Sequence, residues 1–170
     1  MSNKKVSIRK LRKDDAMQLA ELANNKKIWD NVRDYFPHPY DKEDALFFID
    51  LTHKQKPLQS FGITYEDTLC GVISLITQND VYKKSAEVGY WIGESFWSKG
   101  IMTKALALIT DYGFNELNLV RIYTGVFEYN KASMKVLEKG GFLKEGISKK
   151  AILKNDQIWD EHRYYMLNPR

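Results

Sequence analysis

EVGYWIGESFWSKGIMTKAL, Glu87 to Leu106, decides how the chain folds. Its first half alternates apolar and polar residues, the period of a strand. From Gly100 onward Ile101, Met102, Ala105, Leu106 and Ile109 recur at three-and-four spacing, the apolar face of a helix that runs to about Glu116. The helix start is electrostatically odd. Lys99 and Lys104 flank it and no Asp or Glu lies between Lys99 and Thr110, although a helix N-terminus carries partial positive charge and four unpaired N–H groups. An anion docked at Gly100 would reconcile these features. The N–H groups would point at it, Gly100 would let it approach the backbone without a Cβ, Lys99 would add charge and Thr103 a hydroxyl. The plainer alternative is a loop glycine beside solubilising lysines.

Outward from this stretch the periods continue to alternate. VSIRKL reads as a first strand. Asp14 is the expected N-cap of a helix through Met17, Leu19, Leu22 and Ala23. NNKKIWDNVRDYFPHPY breaks the pattern as a short helix and loop, and Asp41 caps a helix carrying Ala45, Leu46, Phe48 and Ile49. LQSFGITYE and LCGVISLIT form a hairpin about Asp67-Thr68, and SAEVGYWIG follows as the next strand. After the Gly100 helix come the strand VRIYTGVFE and a helix from Asn130 that stops at Gly140-Gly141. Two strands joined by Lys154-Asn155-Asp156 close the chain. The expectation is an α/β (α+β) domain over residues 1–170, with one mixed, mostly antiparallel twisted sheet of about seven strands and about four helices.

Composition bounds the function. The chain has 170 residues, 44% hydrophobic and 28% charged, as in ordinary globular proteins. No apolar run is long enough to span a bilayer and no secretory signal is visible, so a cytoplasmic protein without a membrane partner is expected. The net charge of +4 comes from dispersed lysines, which argues against a direct nucleic-acid surface. Cys70 is the one cysteine; it lies in a strand pattern without a nearby histidine and reads as core. His38, His53 and His162 are isolated and no cluster has metal-ligand spacing, so no metal is expected.

The Glu87–Leu106 stretch resembles the signature segment of the GNAT N-acetyltransferase superfamily, and more closely its branch acting on ribosomal-protein N-termini. In that superfamily a strand leads into a Gln/Arg-x-x-Gly-x-Gly/Ala loop, which holds the pyrophosphate of acetyl-CoA at a helix start. The corresponding loop is Trp97-Ser98-Lys99-Gly100-Ile101-Met102. It keeps the central glycine but has Trp97 at the first position and Met102 at the last. YNKASMKVLEKGGF, Tyr129 to Phe142, is similar to the second signature, Asn-x-x-Ser opening a helix that ends before Gly-Phe. Gly140 stands where the family often has an apolar residue. The order of elements agrees over residues 6 to 167.

The resemblance implies direct acetyl transfer from acetyl-CoA to a primary amine. That chemistry needs a neutral amine, a donor for the developing oxyanion and a proton for the departing thiolate. It implies cofactor contacts from Tyr90, Trp91 and Ile92 on the strand, from Trp97, Ser98, Lys99, Gly100, Ile101, Met102 and Thr103 at the loop, and from Asn130 and Ser133. Gly89 and Gly93 fit a strand approached closely by a ligand. By residue type alone Asn130 is an N-cap and Ser133 a helix-start residue; the resemblance adds a cofactor contact for the first and a general-acid role for the second. Glu87 is the candidate base, acting through water, with Asp160 and Glu161 as others. The branch's carboxylate before the last hairpin has no counterpart in Lys150-Ala151-Ile152-Leu153. Trp29, Tyr35, Phe36 and Tyr40 are candidates for binding the acceptor, or for the apolar underside of a lid on the sheet. The acceptor is expected to be a protein or peptide N-terminus. The alternatives are a small-molecule amine (a polyamine, an aminoglycoside or an amino-acid-like toxin) or a catalytically silent CoA-binding module. Monomer and homodimer are both open.

Overall fold

The computed structural model describes residues 5–169. Seven strands form one sheet: β1 (Val6–Arg9), β2 (Ser60–Tyr65), β3 (Thr68–Thr77), β4 (Ser85–Ile92), β5 (Arg121–Phe127), β6 (Leu143–Lys154) and β7 (Gln157–Leu167), in the spatial order β1-β2-β3-β4-β5-β7-β6. All neighbours are antiparallel except β4 and β5. The helices are α1 (Ala16–Ala23), α2 (Lys26–Trp29), α3 (Lys42–His53), α4 (Ile101–Asn115) and α5 (Lys131–Lys139). That is five where about four were expected, because the short α2 counts as a helix of its own.

The alternation of β4 sorts its side chains between two cores. Ala86 and Val88, with Tyr90 and Ile92, join Ile101, Leu106, Ile109, Met134 and Leu137 in the core beneath α4 and α5. Trp91 faces the other way and packs against the cluster formed by Leu19, Ala20, Tyr40, Ala45, Ile49 and their neighbours beneath α1 and α3. The two helical layers thus lie on opposite faces of one sheet, as binary patterning requires.

Local chemistry sets the element ends. Asp41 and Asp44 form a reciprocal capping box at the start of α3, and the Asn130 side chain accepts from the Ser133 N–H at 3.2 Å at the start of α5. Two expectations shift by one residue. The first hairpin turns on Glu66-Asp67, not Asp67-Thr68, because Glu66 (φ 49°) and Asp67 (φ 66°) both adopt the left-handed conformation of a type I′ turn. At the first helix the reaching carboxylate is Asp15, not Asp14: it accepts from the Arg12 N–H at 2.7 Å and pairs with Arg9 at 2.8 Å, so it is buried.

Candidate acetyl-transfer site

β4 and β5 pair only at Ser85–Arg121, Ala86–Ile122 and Glu87–Tyr123, then part. Gln78 donates to the Ser85 carbonyl at 3.1 Å and Gly93 to the Cys70 carbonyl at 2.8 Å, and the intervening ladder with β3 has no bulge. Odd-numbered residues of β4 therefore spend their backbone groups on β3. Val88, Tyr90 and Ile92 turn theirs toward the cleft left by the parting strands. The Trp97 indole N–H donates to the Ile92 carbonyl at 2.8 Å. Val88 still gives its N–H to the last β5 pair, but its carbonyl and the N–H and C=O of Tyr90 lie along the parted edge, a row that an extended polar ligand can join as a further strand.

One end of the cleft is the start of α4. Gly100 is its N-cap at φ 71°, a left-handed conformation that strains any residue with a Cβ. Outside its chain neighbours no atom lies within 4 Å of where a Cβ would sit, and no side chain caps the first turn of α4. The Ile101 and Met102 side chains are buried in the core, which leaves their backbone N–H groups for an anion. Thr103 is half-buried in the same turn, and Ser98 is exposed with φ 60°. Lys99 bends back instead of reaching over the helix start: its ammonium donates to the Ser95 carbonyl at 2.9 Å and lies 5.4 Å from the Phe96 ring centre.

Across the cleft stands Ser133. Its hydroxyl and that of Tyr90 are 2.7 Å apart. Burial pushes the Tyr90 hydroxyl up to about 12, against a smaller opposing effect of the Ser133 hydrogen bond. Tyr90 therefore keeps its proton at neutral pH. Either hydroxyl can donate in this pair; with Tyr90 as the donor, the Ser133 proton is left for the cleft.

On the opposite face Glu87 sits where the strands part, its carboxylate 2.5 Å from the Arg33 guanidinium. Gly89, two residues on, has nothing within 4 Å of a would-be Cβ, so the floor beside Glu87 is bare. At Gly93 a Cβ would meet Leu22 Cδ2 at 2.5 Å, so α1 packs closely over this glycine. Glu161 fills the space above Gly125 and pairs with Arg163 at 2.8 Å. Asp160 is engaged by the Lys149 ammonium and the Lys150 N–H, both at 2.8 Å, which hold its carboxyl below the usual range.

The segment around α2 straps across this face. On the β4 side Asn25 and Lys27 bind Glu94, and Arg33 binds Glu87. On the other side the Tyr129 hydroxyl donates to the Asp30 carbonyl, Asn155 donates to the Asp30 carboxylate at 3.0 Å, and the buried Lys154 ammonium reaches Asp34 at 2.6 Å. That ammonium also lies 3.4 Å from the Trp29 ring centre. Between strap and sheet runs a groove of about 480 Å³ whose walls include Trp97, Tyr129, Trp159, Asn31 and Gln157.

The structure brings Tyr90, Asn130 and Ser133 together through the Tyr90–Ser133 contact and the Asn130 cap, and packs Ile92, Ile101 and Met102 into the same core, with Glu87 on the other face of β4. Trp91 is turned away, its backbone on β3 and its ring 5.8 Å from Phe36. Phe36 and Tyr40 pack together at 5.0 Å with Tyr40 buried, and Trp29 stacks on His38 at 5.8 Å; these are lid contacts. Tyr35 is exposed. Sequence reading missed Val88, Arg33, Tyr129 and Trp159. Only Val88 had a usable signal, its parity with Tyr90 and Ile92. Cys70 is buried, and burial pushes its thiol up to about 12, so it offers no nucleophile. Among the described residues no group of His, Cys, Asp or Glu could hold a metal, and no helix is long and apolar enough to cross a membrane.

The model of the acetyltransferase (GNAT) domain matches residues 5–143. A probable N-acetyltransferase of Bacillus subtilis, YjcK, is 34% identical, covering 90% of this chain and 92% of its own. YdaF of the same organism, a putative ribosomal N-acetyltransferase, is 33% identical over 97% and 92%. The crystal structure of spermidine N-acetyltransferase from Vibrio cholerae in complex with CoA and spermine superposes with a TM-score of 0.80 at 27% identity, covering 95% of each chain. The parted strands, the bare α4 N-terminus and these relatives agree: the chain belongs to the GNAT family and is an acetyl-CoA-dependent N-acetyltransferase.

Proposed function

We propose that the protein acetylates the α-amine of a protein or peptide by direct transfer, with Glu87 as base and Ser133 as acid. The observation that carries this reading is the cleft itself, with a proton-bearing Tyr90–Ser133 pair on one face and Glu87 at its closed end on the other. Acetyl-CoA, when bound, supplies an activated acyl thioester. The residues that would hold it are the α4 first turn for the pyrophosphate, the Val88–Tyr90–Ile92 edge for the extended arm, and Asn130 beside them. Main-chain N–H groups suffice for this, so the absence of Gln or Arg at Trp97 is compatible with binding.

Glu87 takes the proton from the incoming ammonium, through water or directly. An α-ammonium, with an ordinary pKa of ~8, gives it up more easily than a lysine at ~10.4, which favours an N-terminus when a single carboxylate does the work. Ser133 holds its proton toward the departing sulfur and is resupplied from Tyr90. The 33% identity to a putative ribosomal N-acetyltransferase supports the same acceptor.

The test is an amine panel with acetyl-CoA, read by mass spectrometry: short peptides with a free Ala or Ser N-terminus, the same peptides N-terminally blocked but carrying a lysine, and spermidine. Acetylation of the free N-termini alone is expected. Turnover confined to spermidine would overturn the acceptor assignment in favour of the polyamine reading, which the likeness to the spermine-bound structure supports. CoA binding without turnover on any amine would favour a silent binding module.

A further inference from the structure

The acceptor face is electrostatically closed. Arg33 extends from the loop after α2, its side chain 57% exposed, and sets its guanidinium on Glu87, whose side chain is 20% exposed. An amine bound for Glu87 must come to the place the guanidinium holds. The other carboxylates of this face are matched too: Asp30 by Lys26 at 2.6 Å, Asp34 by Lys154 at 2.6 Å and Glu161 by Arg163 at 2.8 Å. A ligand with one ammonium needs to free one carboxylate. A polycation has to free several, and each of its charges meets the field of the cations already present.

We propose that Arg33 determines acceptor specificity, holding Glu87 until a single amine displaces it and repelling polyamines. This rests on the reading of Glu87 as the carboxylate that receives the amine. Arg33 is well placed for such an exchange because its exposed side chain can rehydrate when it leaves, whereas the buried Lys154 cannot. Repulsion scales with ligand charge, so neutralising Arg33 helps a trivalent amine more than a monovalent one.

The decisive experiment is calorimetric titration of spermidine, and separately of a free-N-terminus tetrapeptide, into CoA-saturated wild type, Arg33→Gln and Arg33→Lys, with folding checked by circular dichroism. Arg33→Gln is expected to tighten spermidine by more than tenfold and the tetrapeptide by about threefold. Arg33→Lys keeps spermidine as weak as in the wild type. Adding Glu87→Gln to Arg33→Gln abolishes the spermidine gain, which locates the contest at that carboxylate. Unchanged or weakened spermidine binding in folded Arg33→Gln, or equal gains for both ligands, overturns the proposal. These titrations need no turnover, so they decide the role of Arg33 even if the panel of amines refutes an N-terminal acceptor.

Discussion

Replacing Gly100 by glutamate and, separately, by alanine isolates the anion site at the start of α4. Both variants place a Cβ on a residue at φ 71°, and neither meets an atom within 4 Å there, so they share the same conformational penalty of ~1–2 kcal/mol in stability. They differ in one negative charge. A unit charge about 7 Å from a phosphate, at an effective dielectric of about 20, is opposed by ~2.4 kcal/mol. Solvent exposure and salt remove roughly half of that. The remainder, ~1.2–1.4 kcal/mol, corresponds to about a tenfold loss of affinity. Calorimetric titration of acetyl-CoA should show Gly100→Ala weaker than the wild type, because its Cβ intrudes on the anion, Gly100→Glu about tenfold weaker again than Gly100→Ala, and the gap between the two variants narrowing as salt rises. Equal dissociation constants for two folded variants would refute the placement of the pyrophosphate.

Ser133→Ala should lower kcat about 100-fold while leaving the KM for acetyl-CoA within about threefold, and Tyr90→Phe should cost less, about tenfold; full kcat in Ser133→Ala would remove Ser133 as the acid. Urea unfolding should rank Asp34→Ala as more damaging than Lys154→Met, about 2 against 1 kcal/mol or less. The first strips the carboxylate from a buried ammonium, whereas the second leaves Asp34, 68% exposed, in water; the reverse order would refute this account. Burial works to raise the Asp15 carboxyl, but hydrogen bonds from Arg9 and the Arg12 N–H outweigh it and hold the group below the usual range. The stability this lends is present above pH about 4 and lost as pH falls through the depressed value. Asp15→Asn should therefore show a weaker fall in urea midpoint between pH 6 and pH 2 than the wild type.

Much of this architecture is written in local sequence. The strand period of β4 ends at Ile92 and the helix period of α4 begins after Gly100, so both elements were legible from spacing alone. Asn130 and Ser133 were legible because a cap and its recipient sit three residues apart. The acceptor face was not. Arg33 and Glu87 are 54 residues apart and Lys154 and Asp34 are 120 apart, so no periodicity links them. The register of the hairpins then decides which charges meet. The misplaced first turn has a smaller cause: Glu66 and Asp67 share a conformation that residue type only weakly announces. Asp15 displaced Asp14 because Arg9, on the neighbouring strand, draws the second carboxylate inward.

The parting of β4 from β5 carries a mechanical consequence. Only three residue pairs join the β1–β4 block to the β5–β7–β6 block within the sheet. That ladder is short, and the core beneath α4 and α5, which takes side chains from both blocks, backs it on one face. The strap around α2 is a second joint, fastened to Glu94 and Glu87 on one bank and to Tyr129, Asn155 and Lys154 on the other. A frame held at two separated points swings less freely than one held at a single joint. The span of the gap is then set at two places, like that of a tied arch.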